Sequence, residues 1–147
     1  MIAILQRVSS AEVYINQKIY DKINDGILIL LGINKDDKLN DIDYLINKIM
    51  HLRIFNDNNE KMNLSISEIS GEILVVSQFT LLADIKKGRR PSFRDSASPD
   101  LAEKLYNLFI KNIKKNNLNI ATGKFGSMMD IKLINNGPAT FILDSKH

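Results

Sequence analysis

The chain has 147 residues, 44% hydrophobic and 25% charged, with 20 Lys and Arg against 17 Asp and Glu, two His, and neither Cys nor Trp. That length is expected to form one domain over residues 1–147, burying roughly 68–70% of its unfolded surface, and the missing thiols exclude disulfides, cysteine nucleophiles and sulfur-ligated metal sites. With a net charge of only +3, contact with nucleic acid has to come from a local patch.

Met1 to Arg7 has neither the basic n-region nor the long apolar stretch of a signal peptide, and no apolar run approaches the roughly 20 residues of a membrane span, so the cytoplasm is the default expectation. Residues 2–16 predict a strand, because Val8, Val13 and Ile15 are β-branched and Val13 and Ile15 alternate with Tyr14 and Asn16. Asn16-Gln17-Lys18 reads as a turn. Ile27 to Leu31, bounded by Gly26 and Gly32, is too short for a helix and predicts a buried central strand. Between Asp37 and Phe55 the apolar residues Leu39, Ile42, Leu45, Ile46, Ile49 and Met50 recur at three- and four-residue steps, which predicts an amphipathic helix with an extended exit. Ile73 to Leu82 predicts another buried strand, interrupted in its middle by polar side chains. Ser98-Pro99 supplies an N-cap and a first-turn proline, and the spacing of Leu101, Leu105, Leu108, Phe109 and Ile113 carries a second helix to about Asn116. Strand character returns over 118–145 on both sides of Asn136-Gly137-Pro138. This order implies an α/β or α+β fold with two helices on a curved sheet. Two helices cannot cover both faces of a large sheet, so a second copy of the chain is the expected cover.

The two imidazoles suit no Ser-His-Asp triad, since His51 lies in the helical stretch and His147 at the last position. No paired-His spacing marks a metal site, and neither metal nor cofactor is expected. Other residues carry candidate chemistry. Ser77-Gln78-Phe79-Thr80 sets two hydroxyls and an amide inside an apolar run, where each must be satisfied or cost about 1–3 kcal/mol, by the fold or by a ligand. Asn136-Gly137-Pro138 is either a simple turn between strands or a special one. Lys86-Lys87-Gly88-Arg89-Arg90-Pro91-Ser92-Phe93-Arg94 is either a solvated loop or a phosphate contact. Arg7, closing the first apolar run, caps carbonyls, pairs with a carboxylate or fixes a loop. Met129 reads as core filler unless it walls a site.

Taken together, Gln6-Arg7-Val8, Leu52-Arg53-Ile54-Phe55, Lys61-Met62-Asn63, Ser77-Gln78-Phe79-Thr80-Leu81, Gly88-Arg89-Arg90-Pro91-Ser92-Phe93, Thr122-Gly123-Lys124-Phe125-Gly126 and Asn136-Gly137-Pro138-Ala139-Thr140 closely resemble the D-aminoacyl-tRNA deacylases of the D-tyrosyl-tRNA deacylase family. The resemblance spans nearly the whole chain. Ala139 stands where valine is usual and Leu82 where tyrosine is common, two apolar exchanges that bear on pocket shape. The fold then expected is α+β, with curved, largely antiparallel sheets forming a barrel-like core, two main helices and a homodimeric assembly. The resemblance implies hydrolysis of the ester joining a D-amino acid to the terminal adenosine of tRNA, without a metal. It assigns the catalytic pocket to Ser77, Gln78, Phe79 and Thr80. Chiral selection falls to a Gly-cis-Pro motif at Gly137-Pro138, inserted into the partner subunit's pocket, with Met129 on the wall and Arg7 fixing the loop. Glycine has no side chain to reject, so glycyl-tRNA, including glycine mischarged on alanine tRNA, is an expected second substrate. With no base beside it, Thr80 is expected to be a weaker candidate than main-chain N–H groups near Phe79 and Thr80 acting with the substrate's 2′-OH. Lys86, Lys87, Arg89 and Arg90, with Lys111, Lys114 and Lys115, are the expected contacts to tRNA phosphates. The alternative is a non-catalytic basic nucleic-acid-binding dimer of the same fold.

Overall fold

In the computed structural model, which describes residues 1–146, β1 (Ile2–Ile15), β2 (Lys18–Ile23) and β3 (Gly26–Gly32) open the chain, and α1 (Leu39–His51) follows. A short hairpin of β4 (Phe55–Asn56) and β5 (Met62–Leu64) leads into β6 (Glu72–Ser77), a 3₁₀ helix (Phe79–Leu82) and α2 (Pro99–Ile113). β7 (Ile120–Thr122) and the long β8 (Asp130–Asp144) complete the order.

β1 is the hub, antiparallel to β2, β3 and β8, while β3, β6 and β7 run parallel to one another. The sheet is therefore mixed, with the expected antiparallel pairings around β1 and a parallel strip in the order β3-β6-β7. It curls until the Thr122 N–H donates to Asp21 Oδ2 at 2.8 Å, which brings β7 back to β2 and nearly closes a barrel. Val8, Ala11, Val13, Leu28, Leu74, Val76 and Ala121 fill the inside of that curl. On the other face Leu5, Ile27, Ile29, Ile73 and Val75 meet Leu45 and Ile49 of α1 and Leu105 and Phe109 of α2. Each such side chain, once fully buried, contributes about 1.5–3 kcal/mol. The three- and four-residue spacing read in the sequence is the spacing of those buried helical positions.

Three boundaries differ from the sequence reading, while the first helix, ending at His51 with Leu52 extended and Phe55 in β4, has the extended exit expected of it. The turn after β1 is confined to Asn16 and Gln17, both at positive φ (50° and 63°), as a right-twisted two-residue hairpin requires. Lys18 begins a strand in which Ile19 and Tyr20 are exposed and Ile23 is buried, so its apolar residues mark no continuous buried face. The run from Ile73 to Leu82 is a strand only to Ser77, after which it winds into the 3₁₀ helix.

Both chain ends meet the start of α1. The Met1 ammonium donates to buried Asp37 at 2.7 Å, and Ser145 Oγ and Lys146 Nζ approach Asp41 at 2.6 and 2.7 Å. Burial pushes the Asp41 carboxyl up, but the hydrogen bonds from Lys146, Ser145 and the Lys38 N–H outweigh it and hold it at about 2.

Candidate active site

A ligand crevice in a parallel sheet forms where the strands end at their carboxyl side. β3 and β6 end together, Leu31 beside Ser77, and the Gln78 N–H donates to Leu31 O at 2.8 Å before the chain turns away. Gly32 makes that turn sterically feasible, because a Cβ there would stand 2.5 Å from Leu82 Cδ2 and 3.1 Å from Gln78 O. The residues after β3, β6 and β7 thus converge on a cavity of about 590 Å³. Its lining includes Ser77, Gln78 and Phe79 on one side, Pro99 at the start of α2, and Phe125 and Met129 opposite.

Three of the four expected catalytic residues, with Met129, share this cavity. Thr80 is exposed beside it, outside the lining. Its Oγ1 accepts a hydrogen bond from Gln78 Nε2, and a carboxamide cannot take a proton at neutral pH. The N–H groups of Phe79 and Thr80 sit in the first turn of the 3₁₀ helix, ahead of its hydrogen-bond ladder. No acceptor for either is found among the described residues.

Tyr106 holds the two walls together from below. Its hydroxyl donates to Val75 O at 2.8 Å and lies 3.4 Å from Gly123 O, while its ring tilts against Phe125 at 5.7 Å. Burial pushes this phenol up, so it stays a donor at working pH. The sequence offered no sign of this role, since Tyr106 sits on the same apolar stripe as Leu105 and Phe109.

Phe79 is 57% exposed and its ring meets Phe93 at 5.0 Å, which joins the cavity to the basic loop. Paired main-chain hydrogen bonds between Asp84 and Ser92, 2.7 and 3.0 Å long, close the neck of that loop. Lys86, Lys87, Arg89 and Arg90 are all exposed within it and none forms an ion pair among the described residues. Lys111, Lys114 and Lys115 are exposed too, at the far end of α2 from Pro99.

Gly137 and Pro138 are not brought to this cavity. Arg7 faces Ile27 of β3, four residues from Leu31, or about 13 Å along the strand. Arg7 is 7% exposed, donating from Nε to Asn136 O at 3.0 Å and from Nη1 to Ile54 O at 2.7 Å and Asn56 Oδ1 at 3.4 Å. Of the three uses the sequence left open, it caps carbonyls, those of Ile54 and Asn136, and through Asn136 it ties down the loop; no carboxylate pairs with it among the described residues. It lines a separate cleft of about 370 Å³ with Asn56 and Asn136. Gly137 lies at φ +123°, and a Cβ there would fall 2.7 Å from Arg7 Nη2. The Gly137-Pro138 bond is cis, and both residues are exposed.

Among the described residues no three His, Asp or Glu side chains are grouped to hold a metal ion, and no helix is long and apolar enough to cross a membrane.

Residues 4–144 match the model of the family described as D-Tyr-tRNA(Tyr) deacylase. The chain is 54% identical to a D-aminoacyl-tRNA deacylase of Thermosipho melanesiensis, covering 99% of this chain and 98% of that one. It is 51% identical to a D-aminoacyl-tRNA deacylase of Clostridioides difficile, with 99% and 97% covered. Among solved structures, one named c-Myc DNA Unwinding Element Binding Protein superposes with a TM-score of 0.92 at 36% identity, with 98% of each chain covered. A second, described as a probable eukaryotic D-amino acid tRNA deacylase, is similar in fold with a TM-score of 0.81 at 18% identity over 97% of each chain.

Proposed function

Because this chain belongs to the D-Tyr-tRNA(Tyr) deacylase family and acts as a D-aminoacyl-tRNA hydrolase, we propose that it cleaves the ester through main-chain N–H groups and the substrate's own 2′-OH. The single observation that carries this reading is the pair of unclaimed N–H groups of Phe79 and Thr80 beside the 590 Å³ cavity. Water attacks the ester carbonyl carbon, assisted by the adenosine 2′-OH. The two N–H groups hold the developing oxyanion, and collapse breaks the bond to the ribose oxygen, releasing the free D-amino acid and tRNA. An aminoacyl ester is already activated, so orientation and one or two aimed donors supply the needed factor, about 10²–10³ per donor. Ser77 and Gln78 hold the adenosine, Phe79 gives it a stacking face and Met129 walls the amino-acid side.

Chiral selection is assigned to the main-chain carbonyls around Gly137-Pro138. Their exposure away from the Ser77 cavity, beside Asn136 on a separate cleft, fits a homodimer in which each chain's loop enters its partner's cavity. An L-substrate would have to set its side chain against those fixed oxygens, which rejects it far more strictly than an apolar wall does. Glycyl-tRNA meets no such clash and is cleaved as well. The exposed cations from Lys86 to Arg90 reach the tRNA backbone without reading sequence, and a tRNA substrate is consistent with a cytoplasmic enzyme.

The test is paired incubation with D-tyrosyl-tRNA, L-tyrosyl-tRNA and glycyl-tRNA. Release from the D and glycyl forms but not the L form is expected. Resistance of glycyl-tRNA would remove the side-chain-clash account. A non-catalytic nucleic-acid-binding dimer is the second reading, favoured by the basic loop and by the 36% identical solved structure, which is named as a DNA unwinding element binding protein. It expects tRNA retention without release from any of the three.

A further inference from the structure

β8 does not pass Arg7 in step with β1. Gln6 pairs with Thr140 and Val8 with Asn135, so a single β1 residue, Arg7, stands opposite the four residues 136–139. The surplus chain is pushed out as a bulge, with Asn136, Gly137 and Pro138 exposed at its tip. An exposed loop of this kind samples several conformations unless it is tied at its neck. Arg7 ties one side through Asn136 O.

The other tie is made by a side chain the sequence did not single out. Asn135 Oδ1 accepts the N–H of Ala139 at 3.2 Å, bridging the two ends of the bulge. Its Nδ2 donates to Gln6 Oε1 at 2.8 Å and approaches Thr140 Oγ1 at 3.3 Å, and Thr140 Oγ1 donates to the same Gln6 oxygen at 2.5 Å. Gln6 and Thr140 are the last register pair before the bulge, so this group closes its neck onto the regular ladder.

We infer that Asn135, held by Gln6 and Thr140, is a positioning residue for chirality, fixing the Gly137-Pro138 bulge whose carbonyls turn away L-substrates. The inference rests on the proposed role of that bulge. Asn135 touches no reacting atom. A loosened bulge rejects the L-substrate less well, so the loss falls on discrimination more than on hydrolysis.

The test measures kcat/KM for D- and L-tyrosyl-tRNA on one preparation of each full-length variant, so that the ratio is independent of the folded fraction. Asn135→Ala is expected to lower the D/L ratio about tenfold, the scale of one lost hydrogen bond, chiefly by raising L-cleavage. Thr140→Val should lower it in the same direction, and Thr140→Ser, which keeps the hydroxyl, should retain it. Undiminished ratios in both Asn135→Ala and Thr140→Val overturn the clasp and leave the deacylase reading standing. A wild-type chain that cleaves both substrates alike overturns the clasp together with the chiral role proposed for the bulge, and a chain that cleaves neither overturns the deacylase reading as well.

Discussion

Thr80 is a side chain on which composition and geometry point different ways. In a chain without cysteine it is the obvious nucleophile, yet its hydroxyl is paired with the Gln78 amide and lies outside the cavity lining. Removing a true nucleophile costs on the order of 10⁴ to 10⁶ in rate. Thr80→Ala is therefore expected to lose no more than about tenfold in single-turnover hydrolysis of D-tyrosyl-tRNA. A substrate with a 2′-deoxy terminal adenosine should instead be cut at least about a hundredfold more slowly. Loss of activity in Thr80→Ala with full cleavage of the deoxy substrate would restore the covalent route. Arg7 is the opposite case, a residue whose position at the end of an apolar run was visible but whose burial was not. Its partners Asn136 and Ile54 lie 129 and 47 residues away, and no local pattern encodes such pairings.

Among the elements, the two helices were legible because each buries one stripe, and the stripe is written in the spacing of Leu45, Ile49, Leu105 and Phe109. The 3₁₀ helix was not, because the apolar residues resume at Phe79, Leu81 and Leu82 after Ser77 and Gln78, so the polar break that ends β6 read as an interruption within one strand. The unit that makes the site therefore read as the middle of a strand. β2 escaped for the converse reason, having only Ile23 fully buried. At the start of α1, Asp41 yields an acid-stability prediction. Its carboxyl titrates at about 2 in the folded chain and near its ordinary 3.8 when unfolded, so the unfolded state takes up the proton first as pH falls. The stabilisation is complete above about pH 4 and lost progressively towards pH 2. Urea midpoints measured from pH 5 to pH 2 should fall less steeply in Asp41→Asn than in the natural chain. Parallel curves would mean that Asp41 is not held by Ser145 and Lys146 in solution.

For the whole molecule, charge and shape point in two directions. The cations from Lys86 to Arg90 lie beside the Phe79–Phe93 pair at the cavity. If they hold the tRNA backbone, KM for aminoacyl-tRNA rises steeply between 50 and 200 mM salt, as expected for several phosphate contacts. Charge reversal at Arg89 and Arg90 together should flatten that dependence while leaving kcat within about twofold, and a salt-independent KM would argue against contact there. On the sheet, the register sets Ile142 beside Ile4 and Ile4 beside Leu30, and Ile142 is 71% exposed. On the proposed homodimer this row is covered by the partner, so Ile142→Glu should yield a monomer in sedimentation with greatly reduced D-aminoacyl-tRNA cleavage. A natural chain that stays monomeric at all concentrations would remove the dimer. The pairing of β1 with β8 also sets the order of events at birth. Residues 2–14 leave the ribosome early, but their outer edge stays open until residue 130 and those beyond it follow, a delay on the order of ten seconds at normal elongation rates. During that interval β1 presents unpaired amides to any passing strand. The strand that finally seals this edge is also the one that carries Gly137 and Pro138, so a nascent chain gains protection from misassembly and the bulge proposed to select chirality in one late folding step.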